Sequence, residues 1–336
     1  MGEVSRQRAL VTGATGFIGG HLAARLLKEG WAVRVLVRNE ERLPADLRGK
    51  IEVVAGDLAD LDALGRAVAG VDVIFHCAAD VKTWDSFEAY YAANVQGVEN
   101  LLNAIIQRNP GLSRLVHVST VDVFGFPQEA GDEHCSPVES GFGYGDTKLL
   151  GEAMVHERCG KTGIPYTIIR PGNVIGPGSQ FISRIGSELS SGLMLTVDGG
   201  RANAGLVYVD NLIDYMLWAA RSEAALAQCY TARDNYDVTW STFIWKFRSA
   251  INGKGLVLNL PFWAADGLAR MFAVIWRIIM PSREPLLHPM LVRIFGRTCG
   301  HSAEKIRRDS GLASRIGFEE AMARSARWYL EERHHK

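Results

Sequence analysis

A glycine-rich stretch near the amino end, TGATGFIGG, constrains the fold of this chain more than any other feature. It lies between a short β-branched run, ALVTG, and an amphipathic helical pattern that begins at Ile18. Gly13 permits a tight turn, Gly16 lets the backbone approach a pyrophosphate, and Gly19 lets the helix pack close to the strand. The unpaired N–H groups at the start of the helix then face the phosphates. The stretch therefore predicts a dinucleotide-binding strand, loop and helix.

Short apolar runs continue to alternate with helical patterns along the first two thirds of the chain. The predicted strands are AVRVLV, IEVVAGDL, VDVIFHCAA, LVHVST and YTIIRP, and the predicted helices cover 18–29, 60–69, 88–108 and 144–162. Such alternation is typical of right-handed βαβ units. We expect an α/β fold with a Rossmann-type, doubly wound parallel sheet and a smaller, mostly C-terminal α/β substrate-binding region. The core is assigned to 1–176, with 206–222 returning to it, and the substrate-binding region to 177–205 and 223–336.

Charge and cysteine content exclude several classes of protein. The 37 Lys and Arg residues balance the 37 Asp and Glu residues, so no net field attracts nucleic acid, and we expect no nucleic-acid partner. The five cysteines lack C-x-x-C spacing and histidine partners, which argues against a disulfide framework and a metal site. The first residues, MGEVSRQRALVTG, do not have the succession of a signal peptide. We therefore expect a cytoplasmic protein without a bound metal.

A tyrosine and a lysine four residues apart, in YGDTK, are candidates for acid–base chemistry. On the predicted helix Tyr144 and Lys148 share one face, with Cβ atoms roughly 6 Å apart. A free tyrosine titrates near 10, and a nearby buried ammonium typically lowers such a pKa by roughly 1 to 3 units. We expect Lys148 to lower the pKa of Tyr144, which then acts as a general acid or base. The spacing alone is equally typical of a solvated helix face.

Neighbouring motifs decide between these alternatives. The G-x-x-G-x-x-G spacing, the segments LVHVSTVDVFG and YYAANVQGVENLLNAI, and the Tyr–Lys pair together resemble the extended branch of the short-chain dehydrogenase/reductase superfamily. The resemblance implies that Thr120 hydrogen-bonds the substrate oxygen, with Ser119 as the fallback. It also implies that Asn94 supports Lys148 through a water, although Asn94 is equally able to bond its own helix backbone.

The resemblance also assigns residues to the cofactor. They are Phe17, Ile18, Asp57, Leu58, Ala78, Ala79, Lys148, Pro171, Asn173 and Val174, in addition to the three loop glycines. Asp57 is expected at the adenine amino group, or alternatively as the cap of the next helix. Arg38 follows the second predicted strand, where a cation meets the 2′-phosphate of NADP. We therefore expect NADP(H) rather than NAD(H), although Arg38 beside Glu40 and Glu41 also fits a solvated loop.

The segment before residue 212 bears on the substrate. In VDGGRANAGLVYVDN, Ala204 stands where nucleotide-sugar epimerases and dehydratases carry an arginine that holds the diphosphate. Arg201 substitutes for it only if the loop is rearranged. Asn173, in contrast, fits the epimerase pattern. A nucleotide-sugar epimerase or dehydratase with tightly held NAD(P) therefore stays an alternative.

The C-terminal third contains an unusually apolar helical segment, LPFWAADGLARMFAVIWRIIM at 260–280. Its charged residues, Asp266, Arg270 and Arg277, fall on one narrow stripe. This pattern fits a core helix, a lid over a hydrophobic substrate, or contact of residues 261–297 with a membrane surface.

The order of elements resembles the 3β-hydroxysteroid dehydrogenase and dihydroflavonol-4-reductase-like groups. This resemblance implies an oxidoreductase that interconverts a secondary alcohol and a ketone on a hydrophobic, sterol-like or polyphenol-like small molecule. It also implies a homodimer. A non-catalytic nucleotide-sensing protein is the remaining alternative, and such proteins often lack the tyrosine or the lysine.

Overall fold

The computed structural model describes residues 6–280, 284–285 and 287–334. Within these residues, seven parallel strands form the central sheet. From one edge to the other they are Gln228–Ala232 (β10), Tyr166–Pro171 (β6), Arg114–Val118 (β5), Val73–His76 (β4), Arg8–Thr12 (β1), Ala32–Val37 (β2) and Glu52–Ala55 (β3). The strand order reverses between β1 and β4, so a crevice opens at their carboxyl ends. The predicted doubly wound α/β fold is confirmed.

Helices cover both faces of this sheet. The helices before the C-terminal third are Phe17–Lys28 (α1), Leu61–Val68 (α2), Phe87–Tyr91 (α3), Gly97–Arg108 (α4), Gly143–Thr162 (α5), Gln180–Ser191 (α6) and Val209–Arg221 (α7). On one face α1 and α7 bury residues such as Leu22 and Leu212, and on the other α2 and α4 bury residues such as Leu64 and Leu102. Strands between two such layers are apolar on both sides, which explains their continuous hydrophobic runs.

The helix predicted over 88–108 differs from the observed structure. A π-helical turn, Ala92–Gln96, separates α3 from α4. A π turn inserts one extra residue and is often found at functional sites. Local hydrophobic periodicity does not reveal such a turn.

The C-terminal region adds helices and two small sheets. Its remaining helices are Trp240–Ala250 (α8), Phe262–Ile279 (α9), Pro289–Gly296 (α10), Glu304–Ser310 (α11) and Phe318–His334 (α12). Leu193–Val197 (β8) pairs with Leu256–Leu260 (β11), and Asn173–Ile175 (β7) pairs with Leu206–Tyr208 (β9). One stretch differs from the predicted division of the chain: β10 belongs to the central sheet and pairs with β6, although the sequence pattern assigned it to the substrate-binding region.

The apolar helix α9 is largely exposed. Trp263 is 80% exposed and Ile278 is 79% exposed, whereas only Ala265 and Ala269 of this helix are buried. The core-helix alternative is therefore wrong. No helix in the described ranges is long and apolar enough to span a membrane. Residues 281–283 and 286 of the predicted membrane-contact segment 261–297, Arg283 among them, lie outside the described residues.

Candidate active site

The glycine loop joins β1 to α1 in a conformation that only small residues permit. Gly13 has a φ of +75°, and a Cβ added there would lie 2.7 Å from the backbone nitrogen of Ala78. A Cβ on Gly19 would lie 2.3 Å from the carbonyl oxygen of Gly13, so α1 packs directly on the loop. Gly16 caps α1 without a side-chain hydrogen bond, which leaves first-turn N–H groups for an anion. Phe17 and Ile18 form that turn, and the geometry fits a dinucleotide pyrophosphate.

The ends of β1 and β4 are tied together beside this loop. The Thr12 hydroxyl is 2.8 Å from Nδ1 of His76 and accepts a hydrogen bond of 3.2 Å from the N–H of Ala78. Burial lowers the pKa of His76 to about 3, so its ring is neutral at pH 7. Ala78 and Ala79 follow β4 and remain partly exposed next to the glycine loop. Thr12 and His76 were not predicted, because their role depends on which strands are neighbours.

The residues expected at the adenosine end follow β2 and β3. Arg38 is the first residue after β2, is exposed, and has no carboxylate at ion-pair distance in the part of the chain that the structure describes. Asp57 is exposed and accepts a hydrogen bond of 2.9 Å from the N–H of Ala59, and the half-buried Leu58 follows it. The alternative that Asp57 caps the next helix is wrong, because Asp60 caps α2.

Tyr144 lies in the first turn of α5, and the preceding loop is fixed to that turn. Oδ1 of Asp146 accepts hydrogen bonds from the backbone N–H of Ser140 at 2.6 Å and from its hydroxyl at 2.9 Å. A Cβ on Gly143 would lie 2.6 Å from the ring of Tyr90, so the start of α5 packs closely on this ring. These contacts hold the tyrosine in place.

Lys148 lies one turn further along α5 and is buried. Its ammonium group donates a hydrogen bond of 2.6 Å to the carbonyl oxygen of Val118, the last residue of β5. Burial lowers the pKa of Lys148 to about 8, although the nearby carboxylate of Glu152 acts in the opposite direction. Thr120 is also buried and begins the 3-10 turn that follows β5, where its hydroxyl accepts from the N–H of Asp122 at 3.2 Å.

The pKa of Tyr144 differs from the sequence expectation. Burial and the carboxyl group of Asp122 raise this pKa above its ordinary value, while hydrogen bonding with Thr120 acts to lower it. The pKa is therefore not lowered overall, although the buried ammonium group of Lys148 lies one turn away on the same helix. The chain by itself therefore keeps Tyr144 as a neutral phenol at pH 7, the form that donates a proton. Burial also raises the pKa of Asp122 to about 6.

Asn94 connects the π turn to α5, the helix that carries Tyr144 and Lys148. Its Oδ1 accepts from the N–H of Asp80 at 2.9 Å, and its Nδ2 donates to the hydroxyl of Thr147, next to Lys148, at 3.1 Å. The alternative that Asn94 bonds its own helix is wrong, because these partners lie on other segments. A Cβ on Gly151 would lie 2.4 Å from the carbonyl oxygen of Asn94, so α5 packs directly against the π turn.

The loop after β6 carries the remaining predicted cofactor residues. Pro171 ends β6 and is buried, and Asn173 and Val174 begin β7. Nδ2 of Asn173 donates a hydrogen bond of 2.7 Å to the carbonyl oxygen of Ala204. Ala204 is fully buried and Arg201 is exposed.

A cleft of about 710 Å³ opens beside Tyr144. Much of its lining is aromatic or aliphatic, from Trp84, Phe124, Phe126, Phe142 and Met290. The helix α9 contributes Arg270, Ala273 and Arg277 to the lining, and α10 contributes Met290 and Arg293. The apolar helix α9 thus forms part of the wall of the cleft. Sequence reasoning missed most of these lining residues, because they come from segments far apart in the chain.

Three side chains elsewhere have the donor atoms of a metal site. Donor atoms of Glu152, His156 and Cys229 lie within 4.8 Å of one another. However, Glu152 forms a buried ion pair with the guanidinium of Arg170, whose Nε is 3.1 Å from Oε2. A cation beside Glu152 would be repelled by this guanidinium, so the group does not fit a metal.

Comparisons with known proteins agree with this geometry. The model of the NAD dependent epimerase/dehydratase family matches residues 9–230. The chain is 31% identical over 320 residues to 4-hydroxy-2-methyl-3-oxo-4-farnesyl-3,4-dihydroquinoline-1-oxide ketoreductase of Stigmatella aurantiaca, with 94% of each chain covered. It is 30% identical over 343 residues to 3 beta-hydroxysteroid dehydrogenase/Delta 5-->4-isomerase of Mycobacterium tuberculosis, covering 96% of this chain and 90% of that protein.

A solved structure shares the fold. MoeE5 in complex with UDP-glucose and NAD has a TM-score of 0.77 at 22% identity, with 97% of this chain and 99% of that chain covered. The glycine loop, the seven-stranded sheet and these matches lead to one conclusion. The chain is an enzyme of the NAD dependent epimerase/dehydratase family, within the extended short-chain dehydrogenase/reductase superfamily that its motifs resemble.

Proposed function

We propose that this enzyme interconverts a secondary alcohol and a ketone on a hydrophobic, sterol-like or polyphenol-like molecule. The observation that carries the proposal is the position of Tyr144, which lines a largely apolar cleft while Thr120 and the buried Lys148 lie next to it. The names of the two relatives, a ketoreductase and a hydroxysteroid dehydrogenase, point to the same chemistry.

The three side chains have distinct roles in this proposal. When bound, the nicotinamide cofactor supplies the hydride that reaches the carbonyl carbon in the reductive direction. The hydroxyl of Thr120 orients the substrate oxygen, and the neutral phenol of Tyr144 gives its proton to that oxygen. Lys148 then stabilises the resulting phenolate until it takes a proton from water. Asn94 acts as a positioning residue, because it fixes the segment that begins with Asp80 and the turn of α5 that carries Lys148.

Replacement of Tyr144 by Phe tests this mechanism. We expect the change to lower kcat for reduction of hydrophobic ketones by at least about a hundredfold, because it removes the general acid, while NADPH binding stays largely intact. Cofactor consumption would be followed with a panel of sterol-like and polyphenol-like ketones. Tyr91→Phe is the matched control, since Tyr91 is exposed on α3 outside the cleft lining. Turnover of Tyr144→Phe near the level of the unchanged protein would refute the proposed acid.

A nucleotide-sugar epimerase or dehydratase is the second candidate. The arginines in the cleft favour it, since they offer partners for a diphosphate. Such an enzyme retains its cofactor through the full cycle and shows no net consumption of added NADPH. Release of stoichiometric NAD(P) on denaturing the purified protein, together with conversion of a UDP-sugar, would support this candidate over the first. A purely nucleotide-sensing role is disfavoured, because both Tyr144 and Lys148 are present.

For the cofactor we propose NADP(H), held by the glycine loop, Asp57, Ala78, Ala79, Pro171, Asn173 and Val174, with Arg38 at the 2′-phosphate. The exposure of Arg38 and its lack of a carboxylate partner among the described residues support this preference. We also retain the division into a cofactor-binding core and a substrate-binding region, with β10 moved to the core.

Two further proposals concern partners. The exposed apolar side chains of Phe87, Tyr91 and Leu150 on α3 and α5 support a homodimer formed through these helices. The exposed apolar face of α9 supports contact with an anionic bilayer, since Arg270 and Arg277 border it. The scattered cysteines, which lack C-x-x-C spacing, support the prediction of a reducing, cytoplasmic compartment.

A further inference from the structure

Helix α9 exposes both apolar and charged side chains. Trp263, Val274, Ile278 and Ile279 are exposed, and so are Arg270 and Arg277. The two arginines differ from these apolar side chains because they also line the cleft that contains Tyr144. Their guanidinium groups are therefore accessible to a molecule that binds in the cleft.

Helix geometry arranges the cleft side of α9 as a binding surface. Arg270 and Arg277 are seven residues apart, which puts them on one face about 10 Å apart along the helix axis. Ala273, which also lines the cleft, lies between them on the same face. Its small side chain leaves space between the two guanidinium groups.

The carboxylates nearby do not balance the positive charge on this wall. Asp266 is shared between Arg270, whose Nε is 2.9 Å away, and Arg293, whose Nη2 is 3.2 Å away. Arg277 has no carboxylate partner within the described ranges, and its guanidinium lies 5.2 Å from the ring centroid of Trp84. Of the acidic residues in the cleft lining, Asp85 is paired with Lys82. Glu139, the other one, is exposed.

We propose that the cleft accepts a substrate with an anionic group, which Arg277 and Arg270 bind while the apolar body lies against the aromatic lining. This inference rests on the proposed function and deepens it, because it adds a charged group to the hydrophobic substrate class. A carboxylate and a phosphate share the chemistry that a guanidinium recognises. The ketone of such a substrate reacts at Tyr144, and its anion lies at the α9 wall.

Binding of matched ligands tests the inference without any need for turnover. Decanoate, decyl phosphate and decanol share one chain and differ in their head group, and UDP provides a diphosphate without a lipid chain. Dissociation constants would be measured by tryptophan fluorescence, to which Trp84 beside Arg277 contributes, with thermal shift as a second readout. We expect at least one of the two anionic chains to bind about tenfold or more tightly than decanol, with the difference decreasing as salt is raised.

Substitutions identify the residue responsible. Arg277→Gln should remove the preference for the anionic chain, and Arg277→Lys should retain part of it. The matched control is Arg248→Gln, since Arg248 also lies 5.2 Å from a tryptophan ring, that of Trp245, but outside the cleft lining. The control variant should bind as the unchanged protein does.

The outcomes separate the proposed anion site from the proposed hydrophobic substrate, and they also identify the anionic group. Tighter binding of decanoate supports a carboxylate, and tighter binding of decyl phosphate supports a phosphate monoester. Tight, Arg277-dependent binding of UDP with weak binding of every chain would support the anion site and overturn the hydrophobic substrate. Equal affinity for the three chains, or a preference that survives in Arg277→Gln, would overturn the inference and leave the Tyr144 mechanism unaffected.

Discussion

Arg38 is the residue at which the preference for a cofactor is most directly tested. If its guanidinium contacts the 2′-phosphate, Arg38→Ala should weaken binding of NADPH by about tenfold or more and leave NADH binding nearly unchanged. Fluorescence titration of the purified protein with both cofactors measures this. Lys161→Ala removes an exposed positive charge from the end of α5 and serves as the control. Equal or tighter binding of NADH by the unchanged protein would contradict the preference for NADP(H).

At the same scale, the sequence can show only those candidate residues that are linked by local spacing. The three glycines and the Tyr144–Lys148 pair are separated by a few residues, so their motif is visible without a fold. The direction of the pKa shift of Tyr144 was mispredicted, because it depends on burial and on Asp122, a residue from a different segment. The hydrogen-bond partners of Asn94 were missed for the same reason.

At the scale of elements, the packing of α5 on the π turn predicts a large effect of one methyl group. Gly151→Ala would push a Cβ against the carbonyl oxygen of Asn94 and displace the helix that carries Tyr144. We expect destabilisation of roughly 1 to 3 kcal/mol and a fall in kcat/KM of at least about tenfold. Thermal unfolding and ketone reduction would be measured together.

The same helix offers a matched control. Gly160 is helical, and a Cβ there would meet no atom within 4 Å. Gly160→Ala should therefore leave activity unchanged and stabilise the protein by up to about 1 kcal/mol. Similar behaviour of the two variants would mean that the close contact between α5 and the π turn is unimportant.

Hydrophobic periodicity predicted the ends of α1, α2 and α5 to within one or two residues. The reason is that burial of one helix face requires apolar residues at regular local spacing. It did not reveal the π turn, β10, or the face of α9 that is exposed. The pairing of β10 with β6 joins segments about sixty residues apart. An apolar stripe on a helix likewise does not reveal whether it packs against the rest of the chain, against a second copy or against a membrane.

At the scale of the whole molecule, the exposed face of α9 predicts reversible association with anionic bilayers. Flotation with phosphatidylserine-containing liposomes should recover the unchanged protein in the lipid fraction. A double variant, Trp263→Gln with Ile278→Gln, should remain in the soluble fraction. Leu61→Gln with Leu226→Gln is the control, because these apolar side chains are also exposed but lie outside α9 and outside the cleft lining. Recovery of all three forms in the soluble fraction, with none in the lipid fraction, would contradict membrane contact. Loss of a dimer in the α9 variant would instead assign this face to a second copy.

The cleft takes its walls from two distant parts of the chain. Tyr144 and the glycine loop belong to the first half, whereas the arginines of the cleft lining, Arg270, Arg277 and Arg293, come from α9 and α10 near the other end. Under the proposed function, changes in the later segment are expected to alter which molecules bind while the glycine loop, Tyr144 and Lys148 stay unchanged. Exchange of residues 260–297 with those of a relative should therefore transfer substrate preference without a loss of cofactor binding.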